Sequence, residues 1–319
     1  MLDKYDREID YARISLTEKC NLKCIYCMPS GVKFKEMCTS NTLSLDNYKS
    51  IIKNLSQVGI KKIRFTGGEP LQYTKLEELI KFTSDICKIK KISITTNGIG
   101  LKDRVKKLKE NGLSSINISL DSLDHVKYKK ITGGGDLNDA IEAIKKCLEL
   151  NIKVKLNCVF IQGMNNDELH NFINITKEYP IDVRFIELMP IGEGEKIFNK
   201  GFINLKDTIE QIKELKYDHS EEKSVATYYK LEDGKGRIGI ITPMSCSFCE
   251  NCNRIRITSS GNIKLCLHSE EEIDIKAYLD DEEKFKIALK EIIKNKPKEH
   301  TLNQSYKSNT FRKMYQVGG

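Results

Sequence analysis

Residues 12–27 read Ala-Arg-Ile-Ser-Leu-Thr-Glu-Lys-Cys-Asn-Leu-Lys-Cys-Ile-Tyr-Cys. The first five alternate apolar and polar residues, the period of a strand with two unlike faces. The last eight carry thiols at Cys20, Cys24 and Cys27. Three thiols at C-x3-C-x2-C can bind three irons of a cubane and leave the fourth iron without a protein ligand, open to a substrate. Zinc, the alternative, prefers paired C-x2-C units and four ligands.

The strand rhythm recurs. Residues 62–66, 92–96, 116–120, 153–159 and 182–187 alternate in the same way, which with 12–16 makes six strands. Between them, residues 45–58, 75–88, 102–111, 137–150 and 167–179 repeat apolar positions at helical spacing, with Ser44 or Asp46 near one start and Gly112 after one end. Strands alternating with helices predict parallel pairing. Six βα units do not close an eight-stranded barrel, so the sequence predicts an α/β fold, a partial (βα)6 TIM-type barrel with its active-site loops at the strand C-termini. The cysteine loop follows the first strand, and Gly67-Gly68-Glu69-Pro70 follows the second.

Parallel strands buried on both faces read as continuous apolar runs, but here only one face is apolar. The other holds Arg13, Ser15, Lys62, Arg64, Thr66, Ser93, Thr95, Asn117, Ser119, Lys155 and Asn157. With helices covering the apolar side, these residues are expected to line a cationic lumen suited to an anionic ligand. An antiparallel sheet with one wet face would give the same alternation, but the intervening helical segments argue against it.

The chain has 319 residues, 39% of them hydrophobic, and no apolar run long enough to span a bilayer. Its N-terminus lacks the apolar stretch of a secretory signal. Eleven cysteines without export point to metal or redox use in a reducing compartment, the cytoplasm. The net charge of +8 is carried mainly by lysines in helical patterns, the mark of a solvated face. Beyond residue 192 the rhythm changes to a helix at 205–215, short strands at 226–231, 237–241, 254–258 and 262–265, and a charged helix at 281–294. The expected division is 1–192 for the barrel and 193–319 for a smaller α+β domain that closes its open side.

That second part carries Cys249, Cys252 and Cys266, with Asn253-Arg254-Ile255-Arg256 between them and Gly318-Gly319 at the end. With His268 the cysteines could form a Cys3His zinc site, and the same spacing also suits iron. Taken with Tyr26 beside Cys27 and the Gly67–Pro70 loop, these motifs resemble the radical S-adenosylmethionine (SAM) superfamily. Within it, the chain from Arg13 to Gly319 is similar to the GTP 3′,8-cyclase family of molybdenum cofactor biosynthesis.

The resemblance implies two 4Fe–4S clusters, on Cys20, Cys24 and Cys27 and on Cys249, Cys252 and Cys266. It further implies SAM at Tyr26, Gly68, Ser119 and Met189, and GTP at Arg13, Arg64, Thr95, Lys155, Arg254 and Arg256, with Lys62 and Arg184 in reserve. A deoxyadenosyl radical would take the ribose C3′ hydrogen, C3′ would bond to guanine C8, and one-electron reduction would give 3′,8-cyclo-7,8-dihydro-GTP; no side chain is assigned as an acid or base. Implied partners are GTP, an external one-electron donor and a downstream cyclic pyranopterin monophosphate synthase; a homodimer is compatible, and neither membrane nor nucleic acid is expected. Gly318-Gly319 would reach into the pocket. Cys246, at C-x2-C spacing before Cys249, could close the second site as a fourth ligand, although a bystander is the simpler reading.

Two other functions fit parts of the pattern. A peptide-modifying radical SAM enzyme would keep both cysteine sets, but Arg254 and Arg256 between cluster ligands favour GTP. An RNA-binding iron–sulfur or zinc protein would suit the positive charge, but it needs exposed basic and aromatic surfaces, whereas the basic residues singled out here alternate inward.

Overall fold

The computed structural model describes residues 1–29, 31, 42–219, 224–246, 248–300, 302 and 308–318. Six parallel strands lie in sequence order: β1 (Tyr11–Ser15), β2 (Lys62–Thr66), β3 (Lys91–Thr96), β4 (Ser115–Ser119), β5 (Lys153–Phe160) and β6 (Asp182–Glu187). Each agrees with its expected range to within a residue at either end. Helices α1 (Leu45–Gln57), α2 (Leu76–Asp85), α3 (Leu101–Glu110), α4 (His125–Thr132), α5 (Leu137–Glu149) and α6 (Leu169–Glu178) connect them.

Local chemistry explains the ends. Ser44 caps α1 in a reciprocal box with Asn47, and Tyr48, Ile51, Ile52 and Leu55 bury one stripe of that helix. Helix α4, which periodicity does not reveal, is short and buries only Tyr128, Ile131 and Thr132; it is fixed by the Asp124 cap and by Gly133 in the left-handed region. Ala12, Ile14, Ile63, Phe65, Ile92, Ile94, Ile116, Ile118, Val154 and Leu156 join the helices in one core. Burying each of the larger side chains contributes roughly 1.5–3 kcal/mol.

The stretch beyond residue 192 joins this sheet instead of building one of its own. After α7 (Glu193–Gly201) and α8 (Leu205–Glu210) come β7 (Lys216–Tyr217), β8 (Thr227–Lys230), β9 (Ile238–Ile241), β10 (Arg254–Ile257), β11 (Asn262–Lys264) and β12 (Ile273–Asp274), then α9 (Glu282–Lys294). Strand β9 pairs parallel with β6 and β10 pairs parallel with β1, so the sheet runs β12-β11-β10-β1-β2-β3-β4-β5-β6-β9-β8-β7. Both edges of the six-stranded wall are thereby covered, which removes two exposed edges. Helix α8 stops at Glu210, short of the expected 215, because tight turns at Ile212 and Leu215 redirect the chain into β7. No helix among the described residues is long and apolar enough to cross a membrane.

Candidate active site

Strand register sorts the inward residues into layers. Tyr11, Lys62 and Arg254 share the layer at the strand N-termini; Arg13, Arg64 and Arg256 share the next; Ser15 and Thr66 stand at the C-terminal end beside Gly67. Beside these layers runs a cavity of about 260 Å³. Its wall includes Cys20, Cys24, Cys27, Cys249, Cys252 and Cys266, so one space joins the two cysteine sets. Parallel pairing of β1 with β10 explains this: Cys252 precedes β10 at the strand N-termini and Cys20 follows β1 at the C-termini, so the two sets face one lumen from its two ends.

The first loop is held at several points. Lys23 and Ile25 donate backbone N–H groups to Thr132 and Ile131 at 2.9 and 3.0 Å, and Asn97 Nδ2 donates to Asn21 Oδ1 at 2.8 Å. Burial, with Glu69 nearby, pushes the Cys20 thiol up to about 11. Burial, Cys20 and Asp121 push Cys27 up to about 12, and burial, Asp121 and the other two thiols hold Cys24 well above its ordinary value. A metal bound by these thiols would have to displace their protons.

Tyr26, Gly68, Ser119 and Met189 all line the cavity. At Gly68 a Cβ would fall on the carbonyl oxygens of Glu18 and Lys19, so only glycine lets this loop lie against the cysteine loop. Glu69 is buried, and burial raises its carboxyl to about 7 although Thr96 Oγ1 and the Asn97 and Leu71 N–H groups donate to it. The sequence reading missed Asp121. Its carboxylate accepts from Tyr26 Oη at 2.7 Å and Val159 N at 2.8 Å, fixing the tyrosine beside Cys27; its place two residues after Ser119, at the end of β4, was the available signal.

Of the residues expected at GTP, Arg13, Thr95, Arg254 and Arg256 line the cavity. Arg64 lies behind them and donates from Nε to Ser93 Oγ at 3.2 Å. Lys155 is engaged elsewhere, 3.1 Å from Asp182 and 3.0 Å from Tyr228 Oη. Of the reserve residues, Arg184 bonds Asn117 through Nη2. The Nε atoms of Arg184 and Arg254 and the hydroxyl of Thr95 are buried with no hydrogen-bond partner, and Arg254 and Thr95 among them line the cavity.

Around the second set, Arg7 ties the N-terminal segment to the cysteine loop, donating to Cys249 O at 2.9 Å and Pro297 O at 2.6 Å. Lys296 is 2% exposed, donates to Leu265 O and is paired with no carboxylate among the described residues. Burial works upward on the Cys252 thiol, yet Lys296 and Arg254 beside it hold it down at about 7. A buried ammonium without a carboxylate suits an anionic thiolate set. His268 lines the same cavity, and burial, His300, Arg256 and Lys264 hold its imidazole down at about 3. Among the described residues no three His, Cys, Asp or Glu side chains gather as one metal ion would hold them.

Cys246 is exposed and stands off the cavity wall. Cys246→Ala is therefore expected to keep the iron content and turnover of the parent protein in an iron assay on reconstituted material. Loss of both would make Cys246 a ligand.

The C-terminal tail enters the cavity. Arg312 pairs with Glu272 at 2.5 and 2.7 Å and stands 3.6 Å from Glu18, Met314 and Tyr315 line the wall, and Arg256 Nη1 donates to Val317 O at 3.3 Å and Gly318 O at 2.8 Å. Gly318 has φ 69°, and a Cβ there would collide with the Thr66 hydroxyl. Gly319 lies outside the described residues.

Residues 14–175 match the Radical SAM superfamily and residues 181–302 match Molybdenum Cofactor Synthesis C. The chain is 46% identical over 321 residues to GTP 3′,8-cyclase of Clostridium botulinum and 46% identical over 320 residues to that of Clostridium acetobutylicum, covering 100% of both chains in each case. Among solved structures it resembles Streptococcus suis SuiB bound to its precursor peptide SuiA, with a TM-score of 0.65 and 19% identity over 96% of this chain and 67% of that one. SuiB bound to SAM gives a TM-score of 0.64 and 17% identity over 86% of this chain and 65% of that one. At such identities the likeness speaks for the fold.

Proposed function

Because the chain belongs to the GTP 3′,8-cyclase family of the radical SAM superfamily, we propose that it converts GTP to (8S)-3′,8-cyclo-7,8-dihydroguanosine 5′-triphosphate, the first step of molybdenum cofactor biosynthesis. The family's cofactors are SAM and a 4Fe–4S cluster, which together supply a 5′-deoxyadenosyl radical for hydrogen abstraction. We assign the cluster to Cys20, Cys24 and Cys27, and SAM to Tyr26, Gly68, Ser119 and Met189. A second cluster is assigned to Cys249, Cys252 and Cys266, supported by the buried Lys296 ammonium beside Cys252. We divide the chain into a barrel, 1–192, and a C-terminal part, 193–319, that bears the second cysteine set and the tail.

The single observation that carries the substrate assignment is the set of buried, unpartnered donors in a cationic lumen: Arg254 Nε, Arg184 Nε and Thr95 Oγ1. Arg13, Arg254 and Arg256 meet the triphosphate, where charge-assisted bonds to phosphate oxygens are strong. Arg64 supports them from off the cavity wall, and Lys155 contributes once substrate charge competes with Asp182. Asp121 orients Tyr26, and the tail with the Gly67–Gly68 loop narrows the mouth. Positioning and exclusion of water are what this site supplies to a reactive carbon radical.

The test is anaerobic reconstitution, a count of iron, and assay with dithionite, SAM and GTP. About eight irons with 5′-deoxyadenosine and a cyclised nucleotide is the expected result. About four irons would return zinc to the second set, and deoxyadenosine without cyclised GTP would refute the substrate assignment.

A further inference from the structure

Tyr11 takes no part in the function proposed above, yet it sits where the cations meet. It begins β1, is 4% exposed, and stands in register with Lys62 on one side and Arg254 on the other. Lys62 Nζ lies 4.6 Å from its ring centroid, Arg64 Cζ at 5.6 Å, and Arg13 Cζ and Arg254 Cζ both at 5.8 Å. Arg13 Nε also donates to the phenol oxygen at 3.2 Å. Among the described residues no carboxylate is paired with any of these four cations, and Arg254 Nε has no partner at all.

We propose that Tyr11 is a positioning residue for the triphosphate end of the lumen, holding Arg13 and Arg254, which meet the phosphates, together with Lys62 and Arg64, which support them off the cavity wall. The inference rests on the GTP reading. Like charges buried together repel and would swing apart or lose protons. Burial and the surrounding charges already draw Arg64 down to about 9 and Lys62 to about 8. The aromatic ring at the centre attracts the cations around it, and its oxygen adds an acceptor for Arg13. Burial works upward on that hydroxyl, but Arg13, Arg64, Lys62 and Arg254 together hold it at about 6. The strand register fixes the ring, so the ring fixes the cations before substrate arrives, which lowers the ordering cost of binding.

The experiment compares reconstituted parent protein with Tyr11→Phe and Tyr11→Leu, measuring affinity for GTP and for inorganic tripolyphosphate by calorimetry, affinity for SAM as a control, and kcat and KM separately. Tyr11→Leu should weaken both anions by about thirtyfold, and Tyr11→Phe, which keeps the ring, by roughly threefold to tenfold, through KM with kcat held. SAM affinity should stay within about threefold in both. Leucine binding both anions as the parent does, or phenylalanine binding GTP more tightly than tyrosine, overturns the proposal. If the leucine variant does not fold, the phenylalanine variant decides, and an unchanged KM for GTP overturns the proposal. Failure of the parent protein to bind either anion would instead refute the GTP reading.

Discussion

Arg256→Ala is expected to lower kcat/KM for GTP by roughly 10²- to 10³-fold while deoxyadenosine formation from SAM without GTP stays within about threefold of the parent. Arg256 is 6% exposed, lines the cavity, and holds the tail through two carbonyl bonds. Burial together with Arg13 and Arg254 already strains its charge, holding it well below its ordinary value. A guanidinium kept charged at that cost must gain a strong partner, and in the function proposed here that partner is phosphate. Removing it takes away one proposed phosphate ligand and unfastens Val317 and Gly318 together. Arg256→Lys should rescue poorly, because one ammonium cannot span two carbonyls and a phosphate. The check is a paired assay of cyclised nucleotide and deoxyadenosine. Equal loss of both would make Arg256 a structural support for the whole site, and lysine matching arginine would sink the bidentate role.

The separation of strand from helix was legible in the sequence because each inner strand has one apolar and one polar face, a period of two that the helices lack. The same alternation aimed Arg13 and Thr95 at the cavity, whereas Arg254 and Arg256 were placed there only by the family resemblance. It was silent on distance, so Lys155 looked like a free cation although Asp182, from the next strand, lies 3.1 Å away. Pairing of β10 with β1 was hidden too, because partners more than 240 residues apart leave no local pattern. Tyr11 went unremarked at the edge of the first strand, where a tyrosine reads as an ordinary core residue. Lys296 was lost in the run Lys294–Lys298, whose composition suggests a wet surface; only the fold shows that one of its lysines points inward.

Lys296→Met should separate two effects that usually travel together. The ammonium is buried, donates to Leu265 O next to Cys266, and pulls the Cys252 thiol down. In protein without iron a buried charge lacking a carboxylate is a burden, so a methionine of similar volume should leave the thermal midpoint unchanged or raise it. In protein with a cluster on Cys249, Cys252 and Cys266, the same change removes the cation facing an anionic thiolate set. Outer-shell partners of this kind are worth about 10- to 100-fold in metal affinity. Iron after desalting should fall from about eight toward about four per chain, and the midpoint potential of any second cluster that remains should move negative, since the more reduced state loses more from the missing charge. Glu at this position should be worse than Met on both counts. If the methionine variant retains its full iron and potential, Lys296 serves the fold alone. If parent and variant both hold about four irons, the second set is not a cluster site and the cation faces a different metal.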